Sequence, residues 1–470
     1  MTEQLRRTLS LRDLIFIVVG TVIGSGIFLT PGGVVRAAGS GGMALLAWTI
    51  GGILSLLGAL TFAELGASRP QSGGMYVYLR DAFGPLLAFL FGWTMFLVIG
   101  SGSLATLGAA FPRYLSVFVP LSPAAAKIIS LLVIVGVSAL NIRGTRQSAD
   151  VQGVATAIKA GVLVILATML VALSDGGVAA AAASGAAGAT TATGSGSAVA
   201  RDWWPETFTF GSVTGMVTGM IGVLWAYEGW QYVTFSAGET LDPQRTFGRG
   251  IVVGTMILIA VYVFANVGYF AALGIDGVAA SDRVASDAAT SVLGPWAGRA
   301  LAAVILVSIF SAANGLTLTL PRLFFAMAQD RLFFARLAHV HPRFGTPAAA
   351  IVGTALWSGV LVLSGTFEQL LTYVVFMSWL WFALAALAIF AYRRREPDAP
   401  RPFRTPGYPL TPVLFVVAAL GIVVNTVFAQ PVQSLIGLGI TVAGLAAYAW
   451  WSRKATTTVV SSESRVASRD

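Results

Sequence analysis

The sequence contains no cysteine and only two histidines among its 470 residues. The absence of cysteine excludes structural disulfides, thiolate metal sites and a disulfide-linked partner subunit. The histidines, His339 and His341, lie in one short loop, where we expect solvated side chains and not a metal centre. The sequence also has no nucleophile–base pair and no nucleotide-binding loop. We therefore expect neither an enzyme nor a cofactor.

Charged residues are scarce, at 10% of the chain against 56% apolar residues. A soluble domain usually carries about 25% charged residues, so this chain lacks the charge to cover a water-facing surface. Its apolar stretches have the ~20-residue length that crosses a bilayer as a helix. The sequence predicts an all-α polytopic membrane protein with twelve transmembrane helices, near 12–36, 42–67, 84–110, 121–141, 151–174, 208–237, 250–274, 292–328, 347–365, 368–391, 410–429 and 433–451.

The basic residues alternate between the ends of these stretches. Arginines or lysines precede the first stretch and follow each even-numbered one, whereas one of the opposite loops carries Asp276, Asp282 and Asp287. By the positive-inside rule, this alternation predicts cytoplasmic termini in a cell inner (plasma) membrane. The net charge of +9 thus indicates membrane topology, and we expect a lipid bilayer and no nucleic acid among its partners. The oligomeric state is left open.

Two of the apolar stretches are interrupted. The first contains GTVIGSGIFLTPGG at 20–33, and the sixth contains LWAYEGWQY at 224–232. Glycine within a helix costs roughly 0.5–1 kcal/mol relative to alanine, so a simple anchor would avoid it. Interrupted helices at matching positions in two halves are typical of inverted-repeat transporters with a midplane site. A close-packed helix interface of the GxxxG kind is the alternative.

The predicted organisation follows from these halves. Residues 1–174 hold helices 1–5 as the first repeat, and 208–391 hold helices 6–10 as the second. Between them, 175–207 forms a flexible extracellular loop of low complexity, rich in Ala, Gly, Ser and Thr. Residues 392–451 comprise a cytoplasmic loop with helices 11 and 12, and 452–470 form a disordered cytoplasmic tail.

The interruptions have a definite chemistry. An unwound segment before Gly26 leaves N–H groups at the positive end of the following half-helix, which suits a carboxylate. Carbonyls before the break, around Val22, and those near Trp225 and Glu228 in the sixth stretch suit an ammonium group. A zwitterion, which carries one group of each charge, fits such a pair of sites.

Several motifs resemble one family. GTVIGSGIFLTPGGV and FAELGASRPQSGGMYVYLRDAFGP (62–85) resemble signatures of the amino acid–polyamine–organocation superfamily. WAYEGWQYVTFSAGE (225–239), NGLTLTLPRLFFAMAQDRLFF (314–334) and YRRREPDAPRPFRTPGYPLTP (392–412) are similar to its L-amino acid transporter-like branch, in a bacterial form. The resemblance covers nearly the whole chain in order.

This resemblance implies a LeuT-type 5+5 inverted repeat with broken helices 1 and 6, working by alternating access. It implies a substrate carboxylate on Ser25 and Gly26 and an ammonium on carbonyls of Val22, Trp225 and Glu228. The other substrate-binding positions of the two unwound segments are Gly24, Ala226 and Gly229. Trp225 would act as the outer lid, and Ser378 falls at a polar gating position of some relatives.

Lys159 is the most informative charge. It follows Asp150, at the edge of the fifth stretch, by nine residues, so at ~1.5 Å per residue it lies roughly 13 Å deep. An ammonium near the centre of a ~30 Å core must face the bundle interior and find acceptors. The resemblance places it as a sodium-site surrogate, contacting carbonyls near Gly24 and polar groups such as Ser308 or Ser311. A purely structural lysine is the alternative.

The sequence thus favours a sodium-independent transporter, in particular an exchanger, of neutral L-amino acids. The large lid residue favours small substrates such as alanine or serine. A cationic amino acid or polyamine transporter that uses Glu228 is one alternative, and an amino acid-binding nutrient sensor is another. Glu64 and Glu239 are expected to pair with loop arginines. The exact amino acid, and exchange against uniport or proton coupling, are left open.

Overall fold

The protein is described by a computed structural model over residues 5–174, 203–364, 367–429 and 431–467. Within these ranges the regular structure is helical, apart from an isolated bridge between Leu9 and Thr240. The helices are α1 (Leu11–Val22), α2 (Gly26–Ala38), α3 (Gly41–Ser68), α4 (Met75–Phe83), α5 (Pro85–Thr94), α6 (Gly100–Leu115), α7 (Pro123–Arg143), α8 (Thr145–Leu173), α9 (Phe210–Ala226), α10 (Pro243–Ala280), α11 (Val284–Leu293), α12 (Pro295–Thr319), α13 (Pro321–Gln329), α14 (Ala348–Ser364), α15 (Phe367–Arg395), α16 (Leu410–Ala429) and α17 (Pro431–Ala467).

Three shorter turns complete the architecture. A π-helix, Met95–Ile99, joins α5 to α6, and 3₁₀ segments cover Trp230–Glu239 and Ala335–Ala338. The indole of Trp357 donates to the carbonyl of Leu97 within the π-helix at 3.0 Å. The indole thus gives a hydrogen-bond donor to a carbonyl in the π-helix, where the backbone hydrogen bonds depart from the ordinary α-helical pattern.

Local sequence explains where the long helices begin. The hydroxyl of Ser10 caps α1 and forms a capping box with Asp13, and Ser40 and Ser122 cap α3 and α7. Each hydroxyl satisfies one of the N–H groups that a helix start leaves unpaired. Proline is the first residue of several helices, including α7, because its missing N–H is not needed there: Pro85, Pro123, Pro243 and Pro295.

The fold class predicted from the sequence is confirmed: the protein is an all-α polytopic membrane protein whose first and sixth spans are interrupted. By length and composition, ten described helices are able to cross a membrane, and α1 with α2 forms an eleventh span bent by 46°. The predicted ninth span coincides with α14, which is apolar but has 17 residues. The number twelve therefore stays a prediction, as does the division into two repeats.

The boundaries predicted for the loop and the tail stay predictions. Residues 175–202 of the predicted low-complexity loop lie outside the described residues, while at its end the carbonyl of Trp203 accepts from the N–H of Gly42 at 2.6 Å. Where the sequence predicts a disordered tail from residue 452, α17 continues as far as Ala467. The segment 453–467 contains neither glycine nor proline, so nothing in it breaks the helix.

The helices around the two interruptions are closely packed. Helix α1 packs against α8, α10 and α12, and α2 packs against α9. A Cβ at Gly26 would lie 2.6 Å from Cα of Ala226, and one at Gly215 would lie 2.5 Å from the carbonyl oxygen of Ala37. Glycine thus allows the half-helices α2 and α9 to approach each other at backbone contact.

One end of the bundle, called the arginine-rich end, collects the N-terminal segment, the start of α8 and the loop before α14. There the N–H groups of Thr8 and Leu9 donate to the carbonyl of Glu239 at 2.8 and 3.0 Å. The carboxylate of Glu239 is bound by fully buried Arg322, with Nε to Oε1 at 2.6 Å.

Glu64 pairs with Arg393 through two bonds of 2.8 and 2.7 Å. Both carboxylates are therefore paired with arginines, but Arg322 lies in α13 and Arg393 in the last turn of α15, not in the loops where the sequence predicted the partners. Because Arg322 and Glu239 are almost completely enclosed, removing one partner would leave the other buried and uncompensated.

Candidate functional site

The first interruption lies between Val22, where α1 ends, and Gly26, where α2 begins. Among the described residues, the N–H groups of Ser25, Gly26 and Ile27 have no hydrogen-bond acceptor. The hydroxyl of Ser25 is buried and also has no partner. Several donors thus point from one helix start into the protein interior, which is an arrangement suited to an anionic group.

The second interruption follows α9. Gly229 adopts φ 132°, a conformation that favours glycine, before the 3₁₀ segment starts at Trp230. The carbonyl of Trp225 accepts from the N–H of Glu228 at 3.1 Å, whereas the carbonyl of Glu228 has no donor within the described residues. This oxygen is available to a cationic group.

Tyr262 of α10 connects the two interruptions. Its hydroxyl lies 3.0 Å from the carbonyl oxygens of both Val22 and Ala226. The carbonyl of Val22 also accepts from the N–H of Gly24 at 2.7 Å. Of the three carbonyls that the sequence assigned to an ammonium group, those of Val22 and Trp225 are thus engaged within the chain, and that of Glu228 is not.

Lys159 reaches the end of α1 from α8. Its buried Nζ donates to the carbonyls of Gly20 and Ile23, both at 2.6 Å, and to the carbonyl of Ser308 at 3.3 Å. The hydroxyl of Ser308 donates to Ile23 and Gly24 at 2.9 and 3.1 Å. The amino group of Lys159 therefore lies beside the end of α1 and the start of the unwound segment. Ser311, the other predicted contact, bonds to Gln152 instead.

Glu228 is the second buried ionisable group near the interruptions. Its Oε1 accepts from the hydroxyl of Ser378 at 2.8 Å and from that of Tyr232 at 3.3 Å. Its Oε2 is buried and has no partner among the residues that the structure describes. The structure thus brings together Ser378 and Glu228, which sequence reasoning treated separately.

A small cavity lies between the two interruptions. It is lined by most of the predicted site residues, namely Val22, Gly24, Ser25, Gly26, Trp225 and Glu228. It is also lined by residues that sequence reasoning missed: Thr21, Ser103, Leu107, Tyr232 and Leu316. Ala226 and Gly229 lie in the adjoining backbone. Tyr232 had a usable signal, since it lies one helical turn after Glu228. The roles assigned to these residues stay predictions.

Sequence reasoning also missed a buried polar cluster beside Lys159. Asn314 donates to Gln152 Oε1 at 3.1 Å, and Ser148 donates to Asn314 Oδ1 at 3.0 Å. Ser148, Gln152, Thr156 and Lys159 are spaced by four, four and three residues, which places them on one face of α8. This spacing within an apolar stretch was a signal for a polar interior face.

An all-helical membrane protein with a buried cavity between two interrupted helices has the architecture of a secondary transporter. The amino acid permease family matches residues 9–449 of the chain. The chain belongs to this family of the amino acid–polyamine–organocation superfamily, and to its L-amino acid transporter-like branch of bacterial type. It is therefore a transporter and not an enzyme.

Particular relatives extend this assignment. The serine/threonine exchanger SteT of Bacillus subtilis (strain 168) is 29% identical over 456 residues, covering 94% of this chain and 96% of that protein. The human cystine/glutamate transporter is 31% identical over 449 residues, covering 95% and 85%. The human large neutral amino acids transporter small subunit 2 is 29% identical over 465 residues, covering 96% and 82%. Transport or exchange of amino acids is common to all three.

Proposed function

We propose that the protein is a sodium-independent exchanger of neutral L-amino acids that works by alternating access. The observation that carries this proposal is the position of Lys159, whose ammonium is bound by the carbonyls of Gly20 and Ile23 at the first interruption. A tethered cation there occupies the place that a bound sodium ion would need. We place the protein in a cell inner (plasma) membrane with both termini in the cytoplasm.

The proposed substrate pose uses the groups that the fold leaves unpaired. The carboxylate accepts from the N–H groups of Ser25 and Gly26 and from the hydroxyl of Ser25. The ammonium donates to the free carbonyl of Glu228, with the Val22 and Trp225 carbonyls sharing it as their present donors rearrange. Trp225 covers the outer side of the substrate, and the small cavity leaves room for a short side chain. The names of the relatives SteT and large neutral amino acids transporter support a neutral substrate.

A second candidate is a cationic amino acid as substrate. The observation that favours it is Glu228 Oε2, a carboxylate oxygen without a partner in a residue that lines the cavity. A charged side chain of the substrate would supply that partner. Against this, no other acidic side chain in the described part of the chain lines the cavity.

The test uses purified full-length protein in liposomes. Vesicles are preloaded with one unlabelled amino acid at a time, and entry of labelled alanine or serine is followed with and without external sodium. We expect entry that requires an internal neutral amino acid and ignores sodium. Empty vesicles provide the matched control for exchange.

Other outcomes are equally informative. Sodium-driven entry into empty vesicles would overturn both the exchange and the assignment of Lys159. Entry of labelled lysine in preference to alanine would favour the second candidate. Binding of amino acids without entry would indicate a sensor.

A further inference from the structure

A second cavity lies at the arginine-rich end, apart from the proposed substrate site. Its volume is about 320 Å³, which is within the range of ligand-binding pockets. Three separate parts of the chain form it: the N-terminal segment with Arg6 and Thr8, residues 143–147 at the start of α8, and residues 343–345 before α14. Glu239, at the end of the 3₁₀ segment, forms part of its wall.

The charge around this cavity is unbalanced. Arg6, Arg143 and Arg343 line it, are exposed, and form no ion pair within the described residues. A fourth arginine, Arg146, is bound to Asp13 at 2.8 Å and to Asp150. The one acidic residue in the wall, Glu239, is already neutralised by Arg322. Three guanidinium groups thus line the cavity without an acidic partner among the described residues, and because Arg146 is shared by two carboxylates the net surplus is two positive charges.

Neutral donors lie beside the same space. Helix α8 starts at Thr145 after Gly144 without any side-chain cap, so its first N–H groups are free to bind an anion. These donors add to the guanidinium groups and suit oxygen-rich anions.

Membrane topology alone does not account for this arrangement. The positive-inside rule explains why arginines occur on this side of the membrane, but it does not require three of them to converge on one cavity. They come from positions 6, 143 and 343, so the fold and not local sequence brings them together. Unpaired like charges in proximity repel each other unless an anion lies between them.

We propose that this cavity binds a phosphate-bearing anion through Arg6, Arg143 and Arg343. The phosphate belongs either to an anionic lipid headgroup or to a soluble phosphate compound. A bound phosphate would hold the N-terminal segment against the two loops, and so would fix the bonds from Thr8 and Leu9 to Glu239. The binding is independent of the amino acid exchange proposed above.

The first arm of the test uses purified full chain in detergent, with sodium pyrophosphate as the probe. Thermal unfolding is followed while ionic strength is kept constant with sodium chloride. The variant R6Q/R143Q/R343Q is compared with R249Q/R336Q/R394Q, which removes the same number of exposed arginines from outside the cavity. We expect pyrophosphate to stabilise the wild type and the control, with at least about tenfold weaker binding to the cavity variant.

The second arm identifies the source of the phosphate. The three proteins are reconstituted in vesicles of phosphatidylcholine alone or mixed with phosphatidylglycerol, and their unfolding temperatures are compared. Stabilisation by phosphatidylglycerol that the cavity variant alone loses would assign a lipid headgroup, whereas a response to pyrophosphate alone would assign a soluble phosphate. Equal responses of the cavity variant and the control in both arms, or no response in any protein, would overturn the proposal. Should the triple variant fail to fold, R143Q and R343Q singly give the same comparison.

Discussion

The two buried ionisable side chains beside the interruptions differ in how completely they are satisfied. Lys159 is fully enclosed, and its three donors each meet a backbone carbonyl, from Gly20, Ile23 and Ser308. Glu228 uses one oxygen for Ser378 and Tyr232 and leaves the other unpaired beside the cavity. A satisfied buried charge belongs to the framework, whereas a half-satisfied one is available to a ligand. The difference separates a group that shapes the site from one that is free to contact a ligand.

Replacing Lys159 by methionine should have the largest effect. The side chain keeps most of its length and loses the charge. The carbonyl of Gly20 then loses its donor in a buried position, and that of Ile23 keeps only the hydroxyl of Ser308. Two charge-assisted bonds contribute about 1.5–3 kcal/mol each, so exchange should fall by about a hundredfold or more. The measurement is the initial rate of exchange in proteoliposomes, with thermal unfolding recorded in parallel.

K127M is the matched control for this variant. Lys127 is exposed and donates to the carbonyl of Leu363 at 3.1 Å, so its replacement should leave the rate nearly unchanged. A wild-type rate of exchange in K159M would contradict the comparison of Lys159 with Glu228, because Lys159 would then not be required for transport.

Replacing Gly26 by alanine should have an intermediate effect. Its Cβ would lie 2.6 Å from Cα of Ala226, and backbone atoms must shift to admit it. Overpacking of this kind typically costs 1–3 kcal/mol, so exchange should fall by about tenfold. G136A is the matched control, since a Cβ at Gly136 meets no atom within 4 Å. An equal rate in both variants would show that contact between the interruptions does not matter for transport.

Replacing Glu228 by glutamine should have the smallest effect on a neutral substrate. The amide oxygen can still accept from Ser378 and Tyr232, so the geometry of the second interruption is kept. We expect the KM for alanine or serine to change by less than about fivefold, the size of one ordinary hydrogen bond. Uptake of lysine is measured beside it. A selective loss of lysine uptake in E228Q would support the cationic substrate and sharpen the contrast with Lys159.

The sequence was sufficient for the features that depend on local rules. Gly24, Ser25 and Gly26 marked the first interruption, and Gly229 marked the second. Glycine destabilises a helix, so its presence within an apolar stretch indicates a break. That Lys159 is buried inside the bundle was expected from the rise of a helix and the thickness of a bilayer. These are properties of one segment at a time, which periodicity and composition can read.

The features that depend on several segments were not accessible in this way. Ser103 and Leu107 reach the cavity after the π-helix Met95–Ile99, which shifts the helical phase and so changes the face that each following residue presents. The bridge from Tyr262 to both interruptions joins residues 240 and 36 positions apart. No pattern along one helix predicts such a contact.

The enclosure of Lys159 also bears on the energetics of the proposed exchanger. An ammonium tethered to α8 stays with the protein throughout the cycle, so the position that it fills contributes no ion to the transport stoichiometry. An ion gradient across the membrane therefore cannot drive transport through an ion bound at this position. In the exchanger that we propose, one amino acid is concentrated as another runs down its own gradient.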